Sequence, residues 1–323
     1  MDFRRTCSYH SRLPRTRATP VQLNLSGSIC ALATPFLGDA AEQLDLDALG
    51  RLIDYQIAGA TSALVVAGST GEAAALDERE FASVTEYAAR RASGRLPVLA
   101  GTGLQSTRKT IAQTQRAAAA GCDAALVVVP PYVRATQDGL VRHFSEVADR
   151  GGLPVVLYNV PSRTAGDLLP ETAIRLSGHG NIVGIKEAVA DPARMRRLLE
   201  SRPRHFCVLS GDDPTAARAM LAGADGVISV AANLAPDACA TLARLCANGQ
   251  REPAAQLEER LRELYAVLAV EPNPIPLKWC LAALGLGGAA VRLPLVGLSA
   301  SHHAVAATVL AKLDLIDAAR AVG

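Results

Sequence analysis

Four lysines, Lys109, Lys186, Lys278 and Lys312, stand among 33 basic residues, so any chemistry that needs a primary amine must use one of them. Lys186 interrupts the apolar run IVGIKEA, where little water would surround an ammonium. Desolvation lowers a lysine's pKa and frees the amine to attack a carbonyl carbon, the first step of imine formation. Successive strand residues point to opposite faces, so the adjacent Glu187 is not its direct partner. From the residues alone, two roles stay open for Lys186: imine formation, or pairing with an acid from elsewhere in the chain. The other three lysines lie in helical patterns and read as solvated.

Three further segments carry polar groups at the ends of apolar runs. Gly68-Ser69-Thr70-Gly71-Glu72 places two hydroxyls between glycines, an arrangement whose N–H and O–H groups can hold a small anion such as a carboxylate. Taken alone, it reads first as a Gly-rich turn with a helix cap. Pro130-Pro131-Tyr132 and Tyr158-Asn159-Val160-Pro161-Ser162-Arg163-Thr164 follow two other runs. A tyrosine at a strand end is ordinarily packing; two tyrosines and an arginine over adjacent ends are less often so.

The elements that must position these groups alternate regularly. Short β-rich runs cover Ser28 to Pro35, Ala63 to Gly68, Pro97 to Gly103, Ala124 to Pro130, Pro154 to Asn159, Ile182 to Ala188, Phe206 to Asp212 and Gly226 to Asn233. Runs such as ALVVV and PVVLYN lack the alternation of a one-sided antiparallel sheet and read as parallel strands buried on both faces. Between them, apolar residues recur three and four apart, with acids or Ser/Thr at most starts and Gly or Pro near several ends. Eight such units predict an α/β fold, a (β/α)8 barrel over 27–250, whose chemistry belongs at the C-terminal ends of the strands. A doubly wound sheet is the alternative, weakened because no Gly-x-Gly-x-x-Gly follows the first strand. Residues 251–323 read as a helical appendage, with helices near 254–269, 274–285 and 300–320. Residues 1–26 scatter arginines among Ser, Thr and Pro and read as a disordered extension. They lack the apolar core of a secretory signal, and Pro14 and Pro20 interrupt the helix an organellar presequence would need.

Composition excludes several classes of function. Thirty-three basic against 31 acidic side chains leave a formal charge of +2, which points to neither nucleic acid nor an anionic membrane surface. No run approaches the ~18 apolar residues of a membrane span. Seven scattered cysteines without a Cys-x-x-Cys pair, and six histidines without an i,i+4 pair, suggest neither a disulfide framework nor a metal site. The thiols read as reduced and mostly buried, and the chain as cytoplasmic.

Through GSICALATPF, GSTGE, AGTG, YNVPSRT, GIKEA, LSGDD, GVISV and VEPNPIPLKW, the sequence resembles the dihydrodipicolinate synthase and N-acetylneuraminate lyase superfamily of pyruvate-dependent class I aldolases. The resemblance runs from about Gly27 to near the C-terminus, with Lys186 the required 28 positions after Tyr158. It is strongest to the branch that condenses pyruvate with L-aspartate-4-semialdehyde on the route to diaminopimelate and lysine. It implies that Lys186 forms the Schiff base with pyruvate and that Tyr158 is the general acid/base that positions the carbonyl. Ser69 would pass protons in a hydroxyl relay with Tyr158, and Thr70 would help hold the pyruvate carboxylate. Tyr132 would enter a neighbouring subunit's site to complete that relay, which implies a homo-oligomer, a tetramer built as a dimer of dimers. Arg163 would grip the semialdehyde carboxylate, while Gly211 and the Ile228 backbone would line the pyruvate pocket. Neither a metal nor a dissociable cofactor is implied.

Three positions depart from the family pattern. Ser69 stands where that branch usually has Thr, which keeps the hydroxyl but loses the β-methyl that restricts its rotamer. Pro131 replaces the first of two tyrosines, and Ala165 stands where glycine commonly follows Arg-Thr. The lysine feedback site of many relatives reads as dismantled: its acidic ligand aligns with Lys109, its histidines with Glu78 and Phe81, its asparagine with Gln105, and its tyrosine with Pro131. A sialic-acid lyase or keto-deoxy sugar-acid aldolase keeps the same imine with another acceptor; Ser69 favours that reading and Arg163 opposes it. A non-catalytic barrel paralogue is the alternative from outside enzymology.

Overall fold

Valine, isoleucine, leucine and alanine fill the short runs, and each run becomes one strand of a closed parallel barrel. The computed structural model describes residues 23, 25–38 and 40–317. The strands are β1 Gly27–Ala31, β2 Ala63–Val66, β3 Val98–Gly101, β4 Ala124–Val128, β5 Val155–Asn159, β6 Ile182–Glu187, β7 Cys207–Ser210 and β8 Gly226–Ser229. Each pairs with its neighbours in sequence, and β1 closes the ring on β8 with Ile29 opposite Ile228. The expected barrel is therefore the observed one, and the doubly wound alternative is excluded.

Most strands stop before the apolar runs do, because the backbone leaves the ladder where the loops of the barrel mouth begin. After β1 and β8 a side chain takes over: the Asn233 amide donates to the Ala31 carbonyl at 2.8 Å and accepts from the Ala33 N–H at 3.0 Å. A side-chain amide here supplies both a donor and an acceptor to backbone groups that have run out of strand.

Eight helices cover the outside: α1 Leu46–Ala58, α2 Glu78–Ala92, α3 Thr107–Ala119, α4 Gln137–Arg150, α5 Pro170–Leu176, α6 Pro192–Ser201, α7 Asp213–Leu221 and α8 Pro236–Ala247. Acids begin several of them as the sequence predicts. Asp45 accepts from the Ala48 N–H, and Asp77 with Glu80 forms a reciprocal capping box at α2. Three more helices follow, α9 Arg251–Leu268, α10 Ile275–Ala283 and α11 His303–Lys312. The helix expected over 300–320 is shorter: Ala300–His302 is a 3-10 turn, the chain leaves α11 after Lys312, and 318–320 lie outside the described residues. Of the extension expected over 1–26, residues 1–22 and 24 also lie outside them, while Leu23 and Leu25 pack against the barrel interior.

Two apolar layers result. Ile29, Ala63, Val65, Leu99, Leu126, Val156, Leu209 and Ile228 fill the barrel itself. Outward-facing strand residues such as Leu64, Val127 and Ile185 join one continuous outer core, and Leu264, Leu277, Cys280 and Leu310 of the C-terminal helices belong to that same core. One reading is corrected here. Lys278 is 1% exposed and not solvated. Its helix carries Ile275, Leu277, Cys280 and Leu281 around most of its circumference, and a helix apolar nearly all round is a buried one.

A buried histidine sets part of the acid stability. His143 of α4 meets the Thr107 hydroxyl at 2.9 Å through Nδ1, and its buried Nε2 has no hydrogen-bond partner among the described residues. Burial pushes its pKa from 6.5 down to about 4, so the folded chain excludes a proton that the unfolded chain binds. The contribution to stability is intact above the unfolded value and is lost as pH falls towards the folded one, at up to ~1.4 kcal/mol per pH unit. His143→Leu is expected to flatten the fall in thermal midpoint across that window; an unchanged slope would assign the acid lability to other groups.

Candidate active site

The C-terminal end of β6 presents Lys186 to the barrel mouth. Its neighbour across the ladder on one side is Tyr158 of β5 and on the other Leu209 of β7, and all three therefore face inward. Lys186 is 6% exposed, and its Nζ lies 4.4 Å from the centroid of the Tyr158 ring. Gly211 provides the space for this side chain: a Cβ there would lie 2.9 Å from Lys186 Cε and 2.9 Å from Ala188 Cβ. Ile228 is buried within the interior layer beneath the mouth.

A second chain of contacts joins the remaining residues. Thr70 is buried, and its hydroxyl accepts from the Asn273 side-chain amide at 3.0 Å. The Asn273 backbone carbonyl accepts from Arg163 Nη2 at 3.3 Å. Asn273 thus bridges the threonine of one strand end and the arginine of another, and its buried Oδ1 has no partner among the described residues. Arg163 sits on a single helical turn, Pro161–Thr164, started by a proline after β5 and closed by Ala165. Ser69 is exposed beside Thr70. Tyr132 stands apart: at 87% exposure its ring is not covered by the protomer's own chain, although its N–H donates to the Thr164 carbonyl at 3.1 Å. Asn273 lies within VEPNPIPLKW, yet nothing in the sequence singles it out, because nothing local says that the loop between α9 and α10 returns to the mouth.

Behind the site, the outward-facing partners of Tyr158 and Lys186 hold the two strands in register. The Asn159 amide donates to Glu187 at 3.0 Å and to Asp167 at 3.0 Å. Arg194 reaches Glu187 at 2.7 Å and Asp167 at 2.8 Å. Burial pushes the Glu187 carboxyl up, and Arg194 opposes the rise. Glu187 is thus engaged on the opposite face from Lys186, as strand alternation requires.

The dihydrodipicolinate synthetase family model matches residues 24–313, which covers every strand and both of these contact chains. The chain belongs to this family. A 4-hydroxy-tetrahydrodipicolinate synthase from Xanthomonas axonopodis pv. citri is 57% identical over 284 residues, 88% of this chain and 93% of its own. Among solved structures, a dihydrodipicolinate synthase from Acinetobacter baumannii complexed with pyruvate superposes with a TM-score of 0.88 at 40% identity, covering 90% of this chain and 99% of that one. The enzyme from Cyanidioschyzon merolae with lysine bound gives a TM-score of 0.87 at 31% identity, over 90% and 99% of the two chains.

Within this family the departures acquire physical meaning. Ala165 has φ 56°, a left-handed conformation that glycine adopts without strain and that costs a residue with a Cβ about 1 kcal/mol or more. Of the positions aligned with the lysine feedback site, Phe81 is buried in the core and Glu78 accepts from Arg116 at 2.7 Å. Lys109 and Gln105 are exposed at the start of α3 and just before it.

Proposed function

We propose that this chain is a lyase that condenses pyruvate with L-aspartate-4-semialdehyde through an imine on Lys186. The observation that carries the reading is one buried amine at a barrel strand end, facing a tyrosine, with Thr70, Asn273 and Arg163 linked at the same mouth. The Lys186 amine adds to the pyruvate ketone and water leaves, giving an iminium. The positive nitrogen acidifies the adjacent methyl, whose proton passes through the Tyr158 and Ser69 hydroxyls and is returned to the aldehyde oxygen as the new bond forms. The enamine so formed attacks the aldehyde carbon, making the new carbon–carbon bond. The substrate's own amine then adds to the imine carbon, closes the ring and displaces Lys186.

The two carboxylates in play are held separately. Thr70, with the backbone around Gly211 and Ile228, takes that of pyruvate. Arg163 takes that of the semialdehyde, where a planar guanidinium can make a bidentate pair. No metal or dissociable cofactor enters these steps. Tyrosine titrates near ~10 when unperturbed, so proton transfer at neutral pH relies on the hydroxyl relay and nearby positive charge. The exposed ring of Tyr132 supports a homo-oligomer in which it completes a neighbour's site, arranged as a tetramer of two such dimers. Buried thiols outside any disulfide, among them Cys30, Cys239, Cys246 and Cys280, support action in the cytoplasm, and among the described residues no helix is long and apolar enough to cross a membrane.

Borohydride reduction in the presence of pyruvate, followed by peptide mapping, tests the first step, with the adduct expected on Lys186. Labelling elsewhere, or none, would remove the aldolase mechanism in every form. Turnover with the semialdehyde against N-acetylneuraminate and keto-deoxy sugar acids then tests the acceptor, and preference for either sugar acid would replace it. Free lysine is expected to inhibit weakly or not at all, because the Lys109 ammonium repels the effector's own and Phe81 is withdrawn into the core. A lysine titration that gives strong inhibition contradicts this.

A further inference from the structure

The geometry points to Glu72 as a positioning residue: clamped by Lys278 and Arg292 from the C-terminal region, it fixes the turn that presents Ser69 and Thr70 to pyruvate. The clamp lies outside the contacts used for catalysis above. Glu72 closes the Gly68-to-Glu72 segment in a left-handed conformation, φ 53° and ψ 38°, which a residue with a Cβ holds only when its surroundings impose it. Its surroundings are specific. Lys278 Nζ donates to Oε1 at 2.6 Å and the Arg292 backbone N–H donates to Oε2 at 2.9 Å, so each carboxylate oxygen has a donor. Both side chains of the ion pair are almost wholly buried.

The turn is tied from the other side as well. The Glu72 N–H donates to the Ser69 carbonyl at 3.2 Å and the Ala73 N–H to the Gly68 carbonyl at 3.1 Å. Thr34 Oγ1 donates to the Gly71 carbonyl at 2.8 Å, and a Cβ at Gly71 would lie 3.0 Å from that hydroxyl. With both flanks held, moving Glu72 moves the two hydroxyl residues. Arg292 is itself anchored, its guanidinium bidentate on Glu80 at 2.6 Å and bonded to the Ala41 and Ala75 carbonyls. Phe36 lies between the cations, its ring centroid 4.0 Å from Lys278 Nζ and 4.2 Å from Arg292 Cζ. Such a cluster spans four regions of the chain and leaves the carboxylate one low-energy position.

Charge makes the device testable. A buried ion pair that loses one member leaves the other uncompensated, whereas removal of both can be nearly neutral. The charged groups around Glu72 are Lys278 and Arg292, with Glu80 and Asp77 beyond the guanidinium. In Lys278→Met the Glu72 carboxylate is buried without its ammonium, which loosens its hold and drags the turn. The KM for pyruvate is therefore expected to rise roughly tenfold or more, with the maximal rate of borohydride trapping at saturating pyruvate changed far less. The double variant Glu72→Gln with Lys278→Met is expected to recover part of the KM. Wild type is expected to weaken only above about pH 8, where burial lets Lys278 lose its proton.

This inference rests on the assignment of Thr70 and Ser69 to pyruvate, and the two can fail separately. No trapping on wild-type Lys186 sinks the assignment. Normal wild-type trapping, combined with a Lys278→Met pyruvate KM within twofold of wild type or with a double variant that recovers none of the KM change, sinks the inference. If Lys278→Met yields no folded protein, Glu72→Asp serves instead: its carboxylate is one methylene too short for both donors. It should raise the pyruvate KM severalfold with little change in saturated rate, and an unchanged KM overturns the proposal.

Discussion

Replacing Lys186 with alanine is expected to remove pyruvate trapping entirely and to lower turnover by on the order of 10⁴-fold or more, the scale seen when a covalent nucleophile is deleted. The loss should be almost purely chemical. Lys186 adds no salt bridge or side-chain hydrogen bond among those seen at the site, and its Nζ rests over the Tyr158 ring, so an alanine leaves strand pairing on both sides intact. Lys186→Arg separates charge from nucleophilicity. A guanidinium keeps a cation at the strand end but cannot form the imine, so the arginine variant should be as inactive as the alanine one. Retention of even a hundredth of wild-type turnover by Lys186→Arg would show that the position acts electrostatically and that the covalent route is wrong.

Arg163→Ala is expected to divide the reaction. Losing a charge-assisted partner for a substrate carboxylate costs about 2 to 5 kcal/mol, so kcat/KM for the semialdehyde should fall by about 30-fold to about 5,000-fold. Pyruvate trapping on Lys186 should stay within a few-fold, because Arg163 reaches the imine site only through Asn273, whose amide still holds Thr70. Folding stability should hardly change, since Arg163 is exposed and, among the described residues, its side chain bonds only to a backbone carbonyl. Single-turnover trapping beside steady-state kinetics with varied semialdehyde measures both numbers. Equal losses in the two would place Arg163 in pyruvate binding or in the scaffold.

Asn273 and Lys278 show where linear reasoning stops. Position 273 follows an exposed proline and precedes a helix, a context shared by ordinary loop residues, and its value comes from two contacts at sequence separations of 203 and 110. Helical spacing alone makes Lys278 read as solvated. The correct signal was the apolar character of the rest of its helix, but only the fold supplies the acid, 206 residues earlier, that makes the burial possible. Glu187 illustrates the opposite case: its engagement on the face away from Lys186 follows from strand alternation alone, although Arg194 and Asp167 as partners do not.

The sequence by itself determined the repeating strand and helix units and the strand end on which Lys186 stands, and it favoured the closed barrel over the doubly wound sheet. These follow from short-range periodicity and from a ladder that pairs consecutive units. Only the tertiary structure decided what converges on the mouth from outside the repeat: the Asn273 bridge, the Glu72 clamp and the uncovered Tyr132. A hydrogen bond or ion pair depends on ångström-scale approach in space, and chain spacing carries no information about approach between segments that no repeat relates.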